Sequence, residues 1–200
     1  MENMQKKFTF VTGYFGAPVK EIAEKIAEYK GWKLLSLDDE IEKSDGRSVQ
    51  RICMLMGEHE YRNKEYEILA ELTGCSGAAG ANENSEPDDA DSGIKSETKS
   101  AADECAECGS PAEAQGTVVY CGDGVLNDEM SREIILKHEL VVIGDKMTTD
   151  ELWERARGMQ NTAHAFMYFG DEEAKKKAFE DLLTRERALY EKLEAGGQPE

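Results

Sequence analysis

Phe8 to Lys20, FTFVTGYFGAPVK, runs from a short apolar stretch through Gly13 and Gly16 into a segment with helical spacing. A glycine turn between a strand and a helix can cradle phosphate with backbone N–H groups. In the pattern G-x-x-x-x-G-K-[ST], the Lys reaches the terminal phosphates and the hydroxyl holds Mg²⁺. Here Gly13 opens the spacing, but Pro18 stands at the second glycine, Val19 at the lysine and Lys20 at the hydroxyl. Gly13, Gly16 and Lys20 are therefore candidate nucleotide-binding residues of a degenerate loop. Cys105-Ala-Glu-Cys108 has metal-ligand spacing, and Cys75 with Cys121 could complete four thiolates. With no second C-x-x-C pair it is not taken as a metal site, and no metal is assigned. His59, His138 and His164 lie far apart and show no ligand spacing.

The elements that must position the loop follow from periodicity. Phe8 to Thr12 alternates as a strand. Pro18 suits the first helical position, and Ile22, Ala23, Ile26 and Ala27 give a buried face up to Lys30, with Gly31 as C-cap. Trp32 to Leu37 reads as a second strand, Asp38 to Lys43 as an acidic turn that Asp38 could cap, and the stretches around Val49–Met56 and Tyr61–Leu72 as helices. Thr117 to Cys121, a helix from about Asn127 to Lys137, Leu140 to Ile143, a helix over 150–157 capped by Thr149, and a long charged helix from Asp171 to about Leu193 complete the order. Alternating strands and helices predict an α/β fold, a three-layer α/β/α arrangement around a short parallel sheet. Ala195 to Glu200 reads as a frayed tail.

Between Gly74 and Gly116 ten acidic side chains face two lysines, and Ile94 is the one large apolar residue. Such a stretch buries too little to offset its ordering entropy, so 74–116 is expected to be a disordered acidic insert in a single domain over 1–200. The net charge of -18 argues against nucleic acid, which needs clustered Lys and Arg. No apolar run is long enough to span a bilayer and MENMQKK lacks a signal-peptide core, so a cytoplasmic protein is expected.

Four segments occur in a telling order: Gly13 to Lys20, Asp38-Asp39-Glu40-Ile41-Glu42-Lys43, Gly57-Glu58-His59-Glu60-Tyr61-Arg62-Asn63-Lys64-Glu65, and Cys121-Gly122-Asp123-Gly124-Val125-Leu126-Asn127. Together they resemble the shikimate kinase family of nucleoside monophosphate kinase-like P-loop proteins, most specifically through G-E-x-x-[FY]-R-x-x-E at Gly57–Glu65. The resemblance implies a P-loop kinase fold and transfer of the γ-phosphoryl of MgATP to the 3-hydroxyl of shikimate, with a shikimate-like hydroxy acid as small-molecule partner. It places Asp38 where substrate hydroxyls are held and the attacking oxygen can be polarised, as a catalytic residue. It places Arg62 where the substrate carboxylate is paired, and Gly122 and Gly124 in a turn whose backbone approaches the substrate, with Asp123 intruding. The plainer expectation for Arg62 is an ion pair with Glu58 or Glu65 along its own helix.

The nucleotide half departs from the family pattern. Val19 replaces the lysine, and Lys20, about 100° further round the helix, is expected to point elsewhere. Ser36 stands at the first Asp of the family's D-x-D, Asn161-Thr162-Ala163 at its lid Asn-Arg-Pro, and Glu186 at a later Arg, flanked by Arg185 and Arg187. The family continues beyond the Tyr190 region into a fifth strand and an adenine loop. The expected activity is therefore weak or lost phosphotransfer, with MgATP as cofactor of an active member and none otherwise. The alternative is a non-catalytic pseudokinase or interaction module that binds a small carboxylate ligand or a partner protein.

Overall fold

The computed structural model describes residues 7–75 and 116–196. Most of the acidic stretch, with its Cys105–Cys108 pair, and the last four residues lie outside the described residues. The bounds expected for the insert shift at its end, because Gly116 opens a strand.

Among the described residues four parallel strands carry the fold: β1 Lys7–Gly13, β2 Lys33–Ser36, β3 Gly116–Tyr120 and β4 Glu139–Ile143, in the order β2-β3-β1-β4. Phe10 of β1 pairs in register with Val119 of β3 and Leu140 of β4. Successive strand residues face opposite sides, so β1 divides its side chains between two cores. Val11 joins Val118, Ala23 and Ala27 beneath helix α1 (Val19–Lys30), while Phe8 and Phe10 join the larger core on the other face. That larger core is closed by α2 (Leu37–Asp45), α3 (Val49–Met56), α4 (Glu58–Thr73), α5 (Glu129–Ile135), α6 (Thr149–Ala156) and α7 (Glu172–Glu194). The arrangement is α/β with helices on both faces of a short parallel sheet, as expected. Among the described residues no helix is long and apolar enough to cross a membrane.

The helix starts differ instructively from the expected ones. Pro18 is the N-cap of α1 rather than its first helical residue, with φ -78° and ψ 56°. Asp38 to Lys43 is not a turn but the body of α2. Its cap is Ser36, whose hydroxyl accepts from Asp39 N at 3.1 Å, so Asp38 sits inside the first turn rather than capping it. Thr148, not Thr149, caps α6 through a capping box with Glu151. The helix expected over 127–137 shortens to α5, because the Asp128 carboxylate accepts from Ser131 N and starts the helix there. At Ser36, Asp128 and Thr148 a side-chain oxygen one to three positions before the apolar periodicity wins the orphan N–H groups, whereas Pro18 has none to offer.

Candidate functional site

The carboxyl ends of β1, β2 and β3 open onto a cavity of about 480 Å³. Ligands of open parallel sheets bind at that end, because the strand-to-helix loops converge there. The loop after β1 supplies Tyr14 to Ala17, α2 supplies Asp38, α4 supplies Arg62, and the loop after β3 supplies Cys121 to Asp123. The sequence-derived residues Asp38, Arg62, Gly122, Gly16 and Lys20 all line this one space. Lys20, expected to turn away, is exposed at its edge. Gly13 lies beneath the loop, where a Cβ would overlap the Ile143 carbonyl. Gly124 lies against Arg62, with no room for a side chain between them.

Asp38 accepts from the buried Tyr61 hydroxyl at 2.7 Å. Burial, reinforced by the charge of Asp123, pushes its carboxyl above the ordinary value despite that bond. Arg62 makes both helix-surface pairs expected for it: Nη1 donates to Glu65 Oε2 at 2.5 Å and Nη2 to Glu58 Oε1 at 3.0 Å. Burial would weaken the guanidinium's charge, but Glu65 more than restores it. Glu65 is wholly buried, and burial pushes its carboxyl up to about 7 against the pull of Arg62.

The loop over 14–19 turns most of its donors inward. Tyr14 N donates to Ile143 O at 3.0 Å, Phe15 N to Glu186 Oε2 at 3.4 Å, Ala17 N to Tyr14 O at 2.8 Å and Val19 N to Ala17 O at 2.9 Å. Pro18 has no N–H. Arg155 of α6 holds the Gly16 carbonyl at 2.9 Å and Glu21 at 2.7 Å, so this cation at the loop is already engaged. Ser36 is committed to its cap. These residues do not fit the phosphates and metal of MgATP in the way the G-x-x-x-x-G-K-[ST] pattern requires.

The sequence reading did not bring together Asp123, His164 and Glu186. His164 Nε2 lies 2.6 Å from Asp123 Oδ2, and the Glu186 carboxyl on α7 is close enough for the charge of the same aspartate to act on it. Burial would raise Asp123, but the His164 charge holds it below the carboxylate range, whereas burial would lower His164 and Asp123 raises it. Burial and Asp123 push Glu186 up to about 10. A protonated Glu186 is what the geometry needs, since two carboxylates in contact require a shared proton. One signal was visible: Phe179, Leu182, Leu183, Glu186 and Tyr190 form the buried stripe of α7, and a glutamate at 1% exposure breaks its apolar pattern. Arg185 and Arg187, its neighbours, turn outward, Arg187 toward Thr149. Cys121 is buried and its thiol is pushed far up, which does not suit a thiolate ligand. Among the described residues no three His, Cys, Asp or Glu are placed to hold a metal.

Residues 20–78, which span α1 to α4 with Asp38, Arg62 and Glu65, match the family model of shikimate kinase. Over this stretch the chain is similar to the shikimate kinase family. It is 38% identical over 65 residues to the shikimate kinase of Chlorobium limicola, covering 32% of this chain and 33% of that one. It is 40% identical over 63 residues to the bifunctional shikimate kinase/3-dehydroquinate synthase of Thermotoga maritima, covering 32% of this chain and 13% of that one. The matched stretch thus spans about a third of the first relative's length. The structure of shikimate kinase from Acinetobacter baumannii in complex with shikimate superposes with a TM-score of 0.62 at 19% identity, covering 94% of this chain and 80% of that one. That from Bacteroides thetaiotaomicron gives 0.62 at 17%, covering 92% and 81%. At such identities the likeness speaks for the P-loop kinase fold.

Proposed function

We propose that this shikimate kinase-like chain keeps a cavity for a small hydroxylated ligand, of the shikimate class, while its phosphotransfer is weak or lost. The observation that carries this reading is the loop over 14–19. Its N–H groups at Tyr14, Phe15, Ala17 and Val19 are spent inside the protein, and Pro18 has none. A phosphate-binding loop works by aiming those same groups at the anion. On the other side of the cavity Asp38 is poised to accept a bond from a ligand hydroxyl, and its raised carboxyl is suited to take a proton from one. Arg62 and the loop at Gly122 close that side.

Shikimate and MgATP titrated separately by calorimetry test the reading. Heat is expected with shikimate at millimolar concentration and none with MgATP. MgATP binding with an ordinary Mg²⁺ dependence overturns it. One observation favours a second reading, residual kinase activity: Lys20 lines the cavity and could reach an anion there. That reading requires ADP release with shikimate and MgATP, abolished in both Lys20→Ala and Arg62→Ala.

A further inference from the structure

The inner end of the cavity has an unusual charge balance. Among the described residues its one deep cation, Arg62, is already paired through both Nη atoms, to Glu65 and Glu58, and its side chain is only 10% exposed. Asp123 lines the same space and its charge acts on Arg62 from the cavity side. Asp38 adds a further carboxylate, whose hydrogen-bond partner is a neutral phenol. The other cations lining the cavity, Lys20 and Arg155, stand at the loop side, and Arg155 is held by Glu21 and the Gly16 carbonyl. Formally, Arg62 and His164 balance Glu65 and Asp123, which leaves Asp38 uncompensated at this end.

A ligand carboxylate entering here meets Asp38 and Asp123, and the guanidinium that would receive it, Arg62, already gives two of its five N–H donors to Glu65 and Glu58. Charges this close, in a partly dry cavity, interact far more strongly than in water. Asp123 does from the protein what an acidic ligand would do: it presents a carboxylate to Arg62. Its position is fixed from behind by His164 Nε2, so it cannot swing aside without leaving a buried imidazole unpaired.

The geometry points to a cavity that selects a hydroxylated ligand carrying no negative charge, a neutral polyol or an amino polyol, over a hydroxy acid. The inference rests on the reading of the cavity as a site for small hydroxylated ligands. Asp38 then accepts from a ligand hydroxyl, and Asp123 accepts from a second hydroxyl or an ammonium group, the donors that two cavity-lining carboxylates call for.

The test compares shikimate with its methyl ester, which keeps every hydroxyl and loses only the charge, by calorimetry on the full chain at pH 7. The ester is expected to bind at least about tenfold more tightly than shikimate. In Asp123→Asn, shikimate is expected to gain while the ester stays level, narrowing the gap to about threefold or less. The comparison in the unaltered chain stands without the variant should Asp123→Asn fail to fold. Shikimate binding as tightly as the ester, or more tightly, overturns the charge selection and leaves the ligand cavity standing. Binding of neither overturns both.

Discussion

His164 Nε2 and Asp123 Oδ2 lie 2.6 Å apart at the back of the cavity, and Glu186 leans on the same aspartate from the buried stripe of α7. An imidazole, a carboxylate and a second carboxyl packed together away from water are tolerable only if protons are distributed to pair them.

That distribution sets a pH dependence. Glu186 has a folded pKa raised from 4.5 to about 10, and His164 one raised above 6.5, so both take up protons on folding. Their contributions are whole below the unfolded values and are lost as pH rises through the folded ones. Between pH 6.5 and 9 stability should fall, by up to about 1.4 kcal/mol per pH unit for each proton taken up. Glu186→Gln keeps a donor toward Asp123 without needing a proton, so its urea midpoint should change less over the same range. Identical pH slopes in the two proteins would remove Glu186 from this account.

Tyr61→Phe tests the hydroxyl that holds Asp38. Removing it strips Asp38 of the 2.7 Å bond its carboxylate accepts. A loss of about 1–2 kcal/mol in chemical denaturation is expected. A double-mutant cycle with Asp38→Asn should give a clear coupling energy, and one near zero would mean that the bond does not matter in solution.

Gly124→Ala tests the packing beneath Arg62. A Cβ there overlaps the guanidinium, so Arg62 must shift from its present position, which strains its pairs with Glu65 and Glu58. Breaking a buried pair should cost about 3 kcal/mol. A change below about 0.5 kcal/mol, within the usual surface range, would contradict the placement of Arg62.

Rewriting the loop as Pro18→Gly, Val19→Lys and Lys20→Thr together restores the phosphate-binding pattern of residue types. If the loop alone limits nucleotide binding, MgATP affinity should rise at least tenfold, about 1.4 kcal/mol. No gain would locate the defect instead in the inward bonds of Tyr14 and Phe15, which these substitutions leave in place.

Much of the site was legible beforehand because its signals are local. A strand, two glycines and an amphipathic helix announce the turn at Gly13–Lys20, and Arg62 lies at helix spacing from Glu58 and Glu65, both of which it pairs. The cap positions were less legible. Ser36, Thr148 and Asp128 each compete with neighbours of similar chemistry, and which oxygen reaches the orphan N–H depends on where the preceding backbone leaves the extended state.

By itself the sequence determined the alternation of strands and helices, the likeness of residues 20–78 to the shikimate kinase family, and the absence of a lysine at position 19. These are matters of residue type and short spacing. Only the tertiary structure decided that the loop's N–H groups point inward, that Lys20 reaches the cavity, and that Asp123, His164 and Glu186 meet. Among these, the bonds Tyr14–Ile143, Phe15–Glu186 and Asp123–His164 join residues 41 to 171 positions apart. Chain separation of that order leaves no periodicity to read, and burial shifts proton affinities only once the chain has closed around them.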